Sequence, residues 1–193
     1  MFQFTIIFIS LTFFIDSGNG KPTSSCEIEK VGPRIAECLF TLTNMSEAMK
    51  NAKNLNPEQE EKYLKDCDHF MTCKPDFECT KAFNAEIDLA FRAIDIQCKS
   101  VWFMVTEFRD CDKKLDNLNS TCQKNYNPFP NIKVEDVPEI MKHGRSQNCE
   151  DLFAEGDCMR QDVLKVCGKD QWEKFRTVQM ELAESMRLCQ MKG

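Results

Sequence analysis

The sequence has few of the residues on which most enzyme sites depend. It contains only two histidines, His69 and His143, and seven glycines. No Gly-x-Ser-x-Gly motif is present, so the nucleophile turn of many serine hydrolases is missing. A cysteine nucleophile needs an unpaired thiol close to a histidine base, and an even cysteine count leaves no thiol over. The 31 acidic residues are spread along the chain and single out no catalytic pair. We therefore predict a protein that is not an enzyme and has no cofactor.

Long apolar runs are equally scarce. The one extended run, FTIIFISLTFFI at residues 4–15, has the length of a signal-peptide core and is too short to span a bilayer. Small residues follow it, with Gly18 and Gly20 placed for cleavage before Lys21. We predict a signal peptide over residues 1–20 that is cleaved. The mature chain is then secreted and extracellular, with no insertion into a membrane.

Clusters of one charge sign are also missing. Lysines and arginines are interspersed with the acidic residues, and the net charge is −6. Proteins that bind nucleic acid or anionic membranes carry basic patches, because these neutralise phosphate groups. The sequence therefore argues against nucleic acid as the partner.

Cysteine, by contrast, is abundant. The chain has twelve, all after the predicted signal peptide: Cys26, Cys38, Cys67, Cys73, Cys79, Cys98, Cys111, Cys122, Cys149, Cys158, Cys167 and Cys189. An even number in a secreted chain predicts disulfide bonds, and the sequence leaves their pairing open. Cys67, His69, Cys73 and Cys79 are also of the types that bind zinc. Because thiolates oxidise in a secreted chain, we expect half-cystines beside a surface histidine here and no metal.

Helical spacing dominates the mature chain. Apolar residues recur every three or four positions and no segment alternates like a strand, which predicts an all-α, disulfide-stapled helical bundle in a single domain over residues 21–193. We expect one helix to begin at Pro33, after an interruption at Gly32, and another to be capped by Asn56 with Pro57 in its first position. A bend or loop is expected near Lys99-Ser100, because the apolar pattern there continues for longer than one helix of a compact domain.

The last segment of the chain, Cys149 to Cys189, carries the clearest helix signals. Gly168 is expected to end one helix, and Asp170 with Glu173 to form the capping box of the next. An apolar face then follows at helical spacing, formed by Trp172, Phe175, Gln179, Leu182, Met186 and Cys189. This pattern predicts a helix whose buried face ends in a disulfide.

Residues 123–147 show no sustained period and contain three prolines, so we predict one long proline-containing loop. At its start, Tyr126 and Phe129 flank Pro128 in a stiff segment that either contacts a partner or packs as a strut over the core, and the strut is the favoured reading. Asn44 and Asn119 each begin an Asn-x-Ser/Thr sequence, which predicts glycosylation at the surface.

Several of these segments together resemble a known family. They are Cys67 to Cys79 around Phe70, Tyr126-Asn127-Pro128-Phe129-Pro130, Gly156-Asp157-Cys158-Met159, Cys167-Gly168 and Trp172-Glu173-Lys174-Phe175-Arg176. With them the chain resembles a nematode secreted domain with twelve cysteines, domain of unknown function nineteen, also called the T20D4.11-like domain, over residues 26 to 189. The resemblance implies an extracellular, helix-rich, disulfide-bonded domain. The family has no established activity, so no catalytic residue is transferred.

Two functions remain open. The first, and favoured, is a secreted, glycosylated binding or interaction protein without enzymatic activity, whose partner is an unknown extracellular protein. The alternative is a carrier of a small apolar ligand, a lipid or sterol, in a cavity between helices. The ten methionines and fifteen phenylalanines are suited to lining such a cavity, although the same residues lie on the predicted core faces.

Overall fold

A computed structural model describes residues 27–50, 55–80, 85–126, 140, 143–144, 149–153 and 155–189. The predicted signal peptide, Cys26 and Phe129 lie outside this part of the chain. Within it the regular structure is helical and contains no strand, which confirms the all-α prediction. None of the described helices is long and apolar enough to cross a membrane.

The described part of the chain forms α-helices and two 3-10 turns. The helices are α1 (Ile28–Lys50), α2 (Pro57–Met71), α3 (Lys74–Cys79), α4 (Ala85–Val105), α5 (Arg109–Leu118), α6 (Thr121–Asn125), α7 (Cys158–Cys167) and α8 (Lys169–Ser185), and the 3-10 turns are Cys149–Phe153 and Glu155–Asp157.

The starts of the first two helices differ in how well local sequence predicts them. Asn56 caps α2 as expected: its side chain accepts a hydrogen bond from the Gln59 N–H, and the Gln59 side chain accepts one from the Asn56 N–H, both at 2.9 Å. The prediction that α1 begins at Pro33 is wrong, because the helix begins at Ile28 and runs through that proline. Proline removes one donor, and water can reach the carbonyl group left over because both Glu29 and Pro33 are exposed.

The predicted bend at Lys99-Ser100 is also wrong, since α4 continues through both residues to Val105. Ser100 is buried, and residues 85–105 contain no glycine or proline that would interrupt the helix. The break comes at residues 106–108, where the Phe108 N–H donates to the Phe103 carbonyl oxygen at 2.9 Å. Phe108 is buried to 1% exposure, so burial of that ring accompanies the change of direction.

Helix α8 begins two residues earlier than the capping-box prediction, with Gly168 rather than Asp170 as its N-cap and Lys169 as its first residue. Gly168 has φ 86°, a left-handed value that glycine adopts without a Cβ clash. Its N–H donates to the Val163 and Leu164 carbonyl oxygens, and its own carbonyl oxygen accepts from the Trp172 N–H at 3.2 Å. One glycine therefore ends α7 and begins α8.

The predicted irregular segment begins later than residue 123. Ser120 caps α6 by accepting a hydrogen bond from the Gln123 N–H at 3.0 Å, so residues 123–125 are helical. Ile140 and His143 are helical as well. The other residues of the segment, apart from Tyr126 and Gly144, lie outside the described part of the chain.

The chain divides into two compact units, with the boundary between Asp95 and Ile96. In the first unit α1 packs on α2 and α3, and the Cys38–Cys73 bond joins α1 to the residue that follows α2 by two positions. The Phe91 ring, on α4, stacks on Phe70 at 4.9 Å and meets Phe77 edge-on. Buried aromatic rings of this kind contribute strongly to a helical core.

The second unit is built around α7, which packs on α5, α6 and α8. Its core contains Phe108 stacked on Phe175 at 4.8 Å and Phe153 edge-on to Trp172 at 4.9 Å. Every residue of the predicted apolar face of α8, including Cys189, is buried. The single-domain prediction for residues 21–193 remains a prediction.

Candidate interaction surface

A corner between α7 and α8 brings charged and apolar side chains together at the surface of the second unit. The left-handed conformation of Gly168 turns the chain so that the last turns of α7 lie beside the first turns of α8. At the other end of α7, Gly156 and Asp157 also have positive φ, 69° and 55°, and direct the chain into the helix. The two turns define the ends of a surface groove along this corner.

The groove, which we call the α7–α8 groove, has a volume of about 490 Å³. Three cationic side chains, two anionic side chains and two apolar ones line it: Arg160, Lys169, Arg176, Asp157, Glu173, Leu164 and Trp172. Its lining therefore combines side chains of both charge signs with two apolar side chains. Surfaces of this composition suit protein partners, whose contact regions combine an apolar centre with a polar rim.

The charges of the groove are arranged as neighbouring ion pairs. Arg160 lies 3.3 Å from Asp157, and Lys169 lies 3.4 Å from Glu173. All four side chains are about half exposed or more, so each pair adds little to folding stability. Exposed pairs of this kind can exchange partners with a charged ligand surface at small cost. Their effect on binding is therefore mainly on association rate and specificity.

The two apolar side chains of the groove differ in their exposure. Trp172 is only 6% exposed and is fixed by the rings of Phe153 and Phe175. Leu164 is 36% exposed and stands on α7 one turn before Gly168. Burying a leucine side chain against a partner stabilises the complex, because apolar surface is removed from contact with water. Of the two apolar side chains in the groove, Leu164 therefore has the larger exposed surface for a partner to bury.

Disulfide bonds hold both ends of α7. Cys158, at its first residue, is bonded to Cys122, and Cys167, at its last, is bonded to Cys111. The bond Cys149–Cys189 joins the 3-10 turn under the groove to the residues that follow α8. A binding surface fixed in this way loses little conformational entropy on association.

The region considered for zinc is instead part of the disulfide framework. Cys73 is bonded to Cys38, and Cys67, Cys79 and Cys98 are also disulfide-bonded. No described cysteine is free. His69 is exposed, with its Nε2 3.5 Å from Glu37 Oε1. The described residues contain no cluster of histidine, cysteine or carboxylate side chains with the geometry of a metal site.

The residues predicted for partner contact and glycosylation lie in different environments. Tyr126 is 8% exposed and its ring lies 6.3 Å from that of Phe175, so it packs in the core as a strut. Burial raises the pKa of its hydroxyl far above the ordinary tyrosine value. Asn44 is half-buried within α1, and Asn119 is exposed in a left-handed turn after α5. Neither Tyr126 nor Asn119 lines the α7–α8 groove, Asn44 belongs to the first unit, and Phe129 lies outside the described part of the chain.

The groove itself was not predicted from the sequence. Asp157, Trp172, Glu173 and Arg176 belong to segments that carry the family resemblance, but their spacing alone does not show that they share a surface. One signal was present: the apolar Leu164 lies between the polar Gln161 and the charged Lys165 on the exposed face of α7. A single exposed apolar residue is common, so this signal is weak without the fold.

Comparison with known proteins identifies relatives that match most of the chain. A family model described as domain of unknown function (DUF19) matches residues 26–190. Among curated proteins of Caenorhabditis elegans, the chain is 26% identical to "Excretory canal abnormal exc-13" over 79% of this chain and 75% of that protein. It is 23% identical to "UPF0376 protein F10G2.1" over 97% of this chain and 94% of that protein. No solved structure matches the chain.

Proposed function

The chain belongs to the DUF19 family, a domain of unknown function, and on that premise we propose that it is a secreted, glycosylated interaction protein without enzymatic activity. It binds an extracellular protein partner through the α7–α8 groove. The observation that carries this proposal is the groove itself, in which an exposed leucine stands among charges of both signs on a helix fixed at each end by a disulfide.

Secretion is supported by two independent features. The apolar run at residues 4–15 has the length of a signal-peptide core. All of the described cysteines are disulfide-bonded, and disulfides persist in oxidising compartments such as the secretory pathway. The absence of enzymatic activity is supported by the scarcity of histidine and glycine motifs and by the use of the described cysteines in bonds rather than as thiolates.

The groove favours a protein surface with one apolar side chain and nearby charges of both signs. Leu164 supplies the apolar contact, while Arg160 and Glu173 can each pair with an opposite charge on the partner. A partner of one sign alone would leave part of the rim opposed by like charge. The relative named for an excretory canal abnormality makes that tissue the first in which to search for the partner.

Binding to a panel of secreted and cell-surface nematode ectodomains tests this function. The protein is purified from the medium of eukaryotic cells and immobilised, and each ectodomain is measured with the wild type and with Leu164→Asp. An exposed leucine tolerates this change, so the variant should fold. We expect one or more ectodomains to bind the wild type and to lose about tenfold or more in affinity for the variant, as expected for an interface centre.

Lys114→Glu is the matched control, because Lys114 is exposed on α5 in the same unit and does not line the groove. This variant should bind as the wild type does. Partners that bind all three proteins equally would contradict the role of the groove. A small apolar molecule that remains with the protein in native mass spectrometry and is lost on denaturation would support the carrier alternative instead.

A further inference from the structure

The most exposed large apolar side chain of the described residues lies beside a predicted glycosylation site. Phe40, on α1, is 66% exposed, compared with 47% for Trp102 and 36% for Leu164. Leu42, Met45 and Met49 of the same helix are buried, and Val31, Ile35 and Leu39 are partly buried. A single exposed ring needs no explanation by itself, but its position relative to the sequon does.

Asn44 follows Phe40 by four residues, and Ser46 completes its Asn-Met-Ser sequon. Both residues lie within the continuous helix α1, so they occupy the same face on successive turns, with Cβ atoms roughly 5–6 Å apart. Helical side chains lean towards the N-terminus, which directs the Asn44 side chain over the turn that contains Phe40. The first sugar attached to the Asn44 side-chain amide would therefore lie next to the Phe40 ring.

We propose that Asn44 carries an N-linked glycan whose first N-acetylglucosamine packs on the Phe40 ring. The sugar bond forms between the Asn44 side-chain nitrogen and C1 of the sugar, with a lipid-linked oligosaccharide as donor and the lipid pyrophosphate as leaving group. One face of this sugar presents C–H groups, which pack on an aromatic face while the hydroxyl groups remain in water. The glycan thereby covers apolar surface that the fold leaves exposed.

The second sequon lacks this arrangement and serves as an internal control. Asn119 is exposed in a left-handed turn, and the residue one turn before it, Leu115, is 1% exposed. A glycan there has no exposed ring four residues earlier to pack on. The effect of a glycan at Asn119 on the free energy of unfolding should therefore be the same with and without the Phe40 ring.

The test uses the full chain secreted from insect cells, trimmed enzymatically to one N-acetylglucosamine at each occupied site. Urea unfolding is compared for the wild type, Asn44→Gln, Phe40→Ala and the double variant. We expect loss of the Asn44 sugar to raise the unfolding equilibrium constant roughly two- to tenfold, the size found for aromatic contacts. In the Phe40→Ala background the same loss should have no effect, and Asn119→Gln should behave alike in both backgrounds.

Nuclear magnetic resonance provides a direct readout of the contact. A sugar over an aromatic ring has its N-acetyl methyl resonance shifted upfield, and Phe40→Ala should remove the shift for the Asn44 sugar alone. Two results would overturn this inference while the proposed function stands. One is a sugar on Asn119 but not on Asn44, and the other is an equal effect of Asn44→Gln in the wild-type and Phe40→Ala backgrounds. Since the inference rests on secretion, retention of the chain in the cell without sugar would overturn both.

Discussion

Two disulfides of the second unit are nested, and their contributions to stability should be coupled. The outer bond, Cys111–Cys167, spans 56 residues and encloses the inner bond, Cys122–Cys158, which spans 36. A disulfide stabilises a protein mainly by restricting the unfolded chain, and the effect grows with the logarithm of the loop that it closes. Each bond therefore changes the loop that the other closes.

The size of the coupling follows from these loop lengths. With the inner bond intact, the outer bond closes only the two flanking segments, about 20 residues together, and contributes about 3.3 kcal/mol. With the inner bond removed it closes all 56 residues and contributes about 4.2 kcal/mol. The bond Cys149–Cys189 changes these lengths only slightly. Removing both bonds should therefore cost about 0.9 kcal/mol more than the sum of the single removals.

The native state should contribute little to this difference. Cys158 and Cys167 lie at opposite ends of α7, about 14 Å apart at the rise of an α-helix. Substitutions at that distance are usually additive in the folded protein. Any large coupling should therefore reflect the unfolded chain.

The assay is equilibrium urea unfolding of the wild type, the two Cys→Ala pair variants and the variant with both pairs replaced. Cys38–Cys73 provides the control, because its loop of 35 residues does not overlap that of Cys111–Cys167. Removing these two bonds together should give the sum of the single effects. If the nested bonds were additive to within about 0.3 kcal/mol, or less costly together than apart, the loop argument would be refuted.

Three further predictions concern individual side chains. Asn56→Ala should lower the free energy of unfolding by about 1 kcal/mol, because it removes the side-chain acceptor of the Gln59 N–H, whereas the backbone N–H of residue 56 can still donate to the Gln59 side chain. Asn56→Gly should cost only a few tenths of a kcal/mol, and urea unfolding measures both. Gln179 is 1% exposed, and its side-chain amide atoms have no hydrogen-bond partner in the described part of the chain. Gln179→Leu should therefore raise the free energy of unfolding by about 1–3 kcal/mol, because it removes a buried polar group that makes no hydrogen bond. A lower free energy of unfolding for this variant would contradict that interpretation. Burial raises the pKa of the Tyr126 hydroxyl. Above about pH 10 the unfolded state releases this proton while the folded state keeps it. The free energy of unfolding should therefore be unaffected by this group below about pH 10 and should fall as the pH rises further. In a Tyr63→Phe variant, whose remaining tyrosine is Tyr126, the tyrosinate absorbance should appear only with unfolding, and its appearance in the folded protein would contradict the burial of the hydroxyl.

Local hydrogen bonds explain what was predictable about the helices. The cap at Asn56 forms between residues three positions apart, so the sequence contains all of it. The same holds for the end of α7 at Gly168, where the absence of a Cβ permits a positive φ. The start of α8 was missed because the same glycine also accepts the first hydrogen bond of that helix, which leaves Asp170 inside it. The continuity of α4 was missed because the break was predicted from the length of the apolar pattern, although residues 85–105 contain no glycine or proline that would interrupt a helix.

The sequence by itself determined the all-α class, the disulfide chemistry and the buried face of α8, because periodicity and an even cysteine count are properties of the chain alone. Only the tertiary structure decided which cysteines pair, since the partners in the described bonds are 35 to 56 residues apart. It also decided that Leu164 and Trp172 share one groove, and that the Phe40 ring remains exposed beside Asn44. Pairing and exposure depend on how helices pack, and the spacing of residues within one helix does not determine that packing.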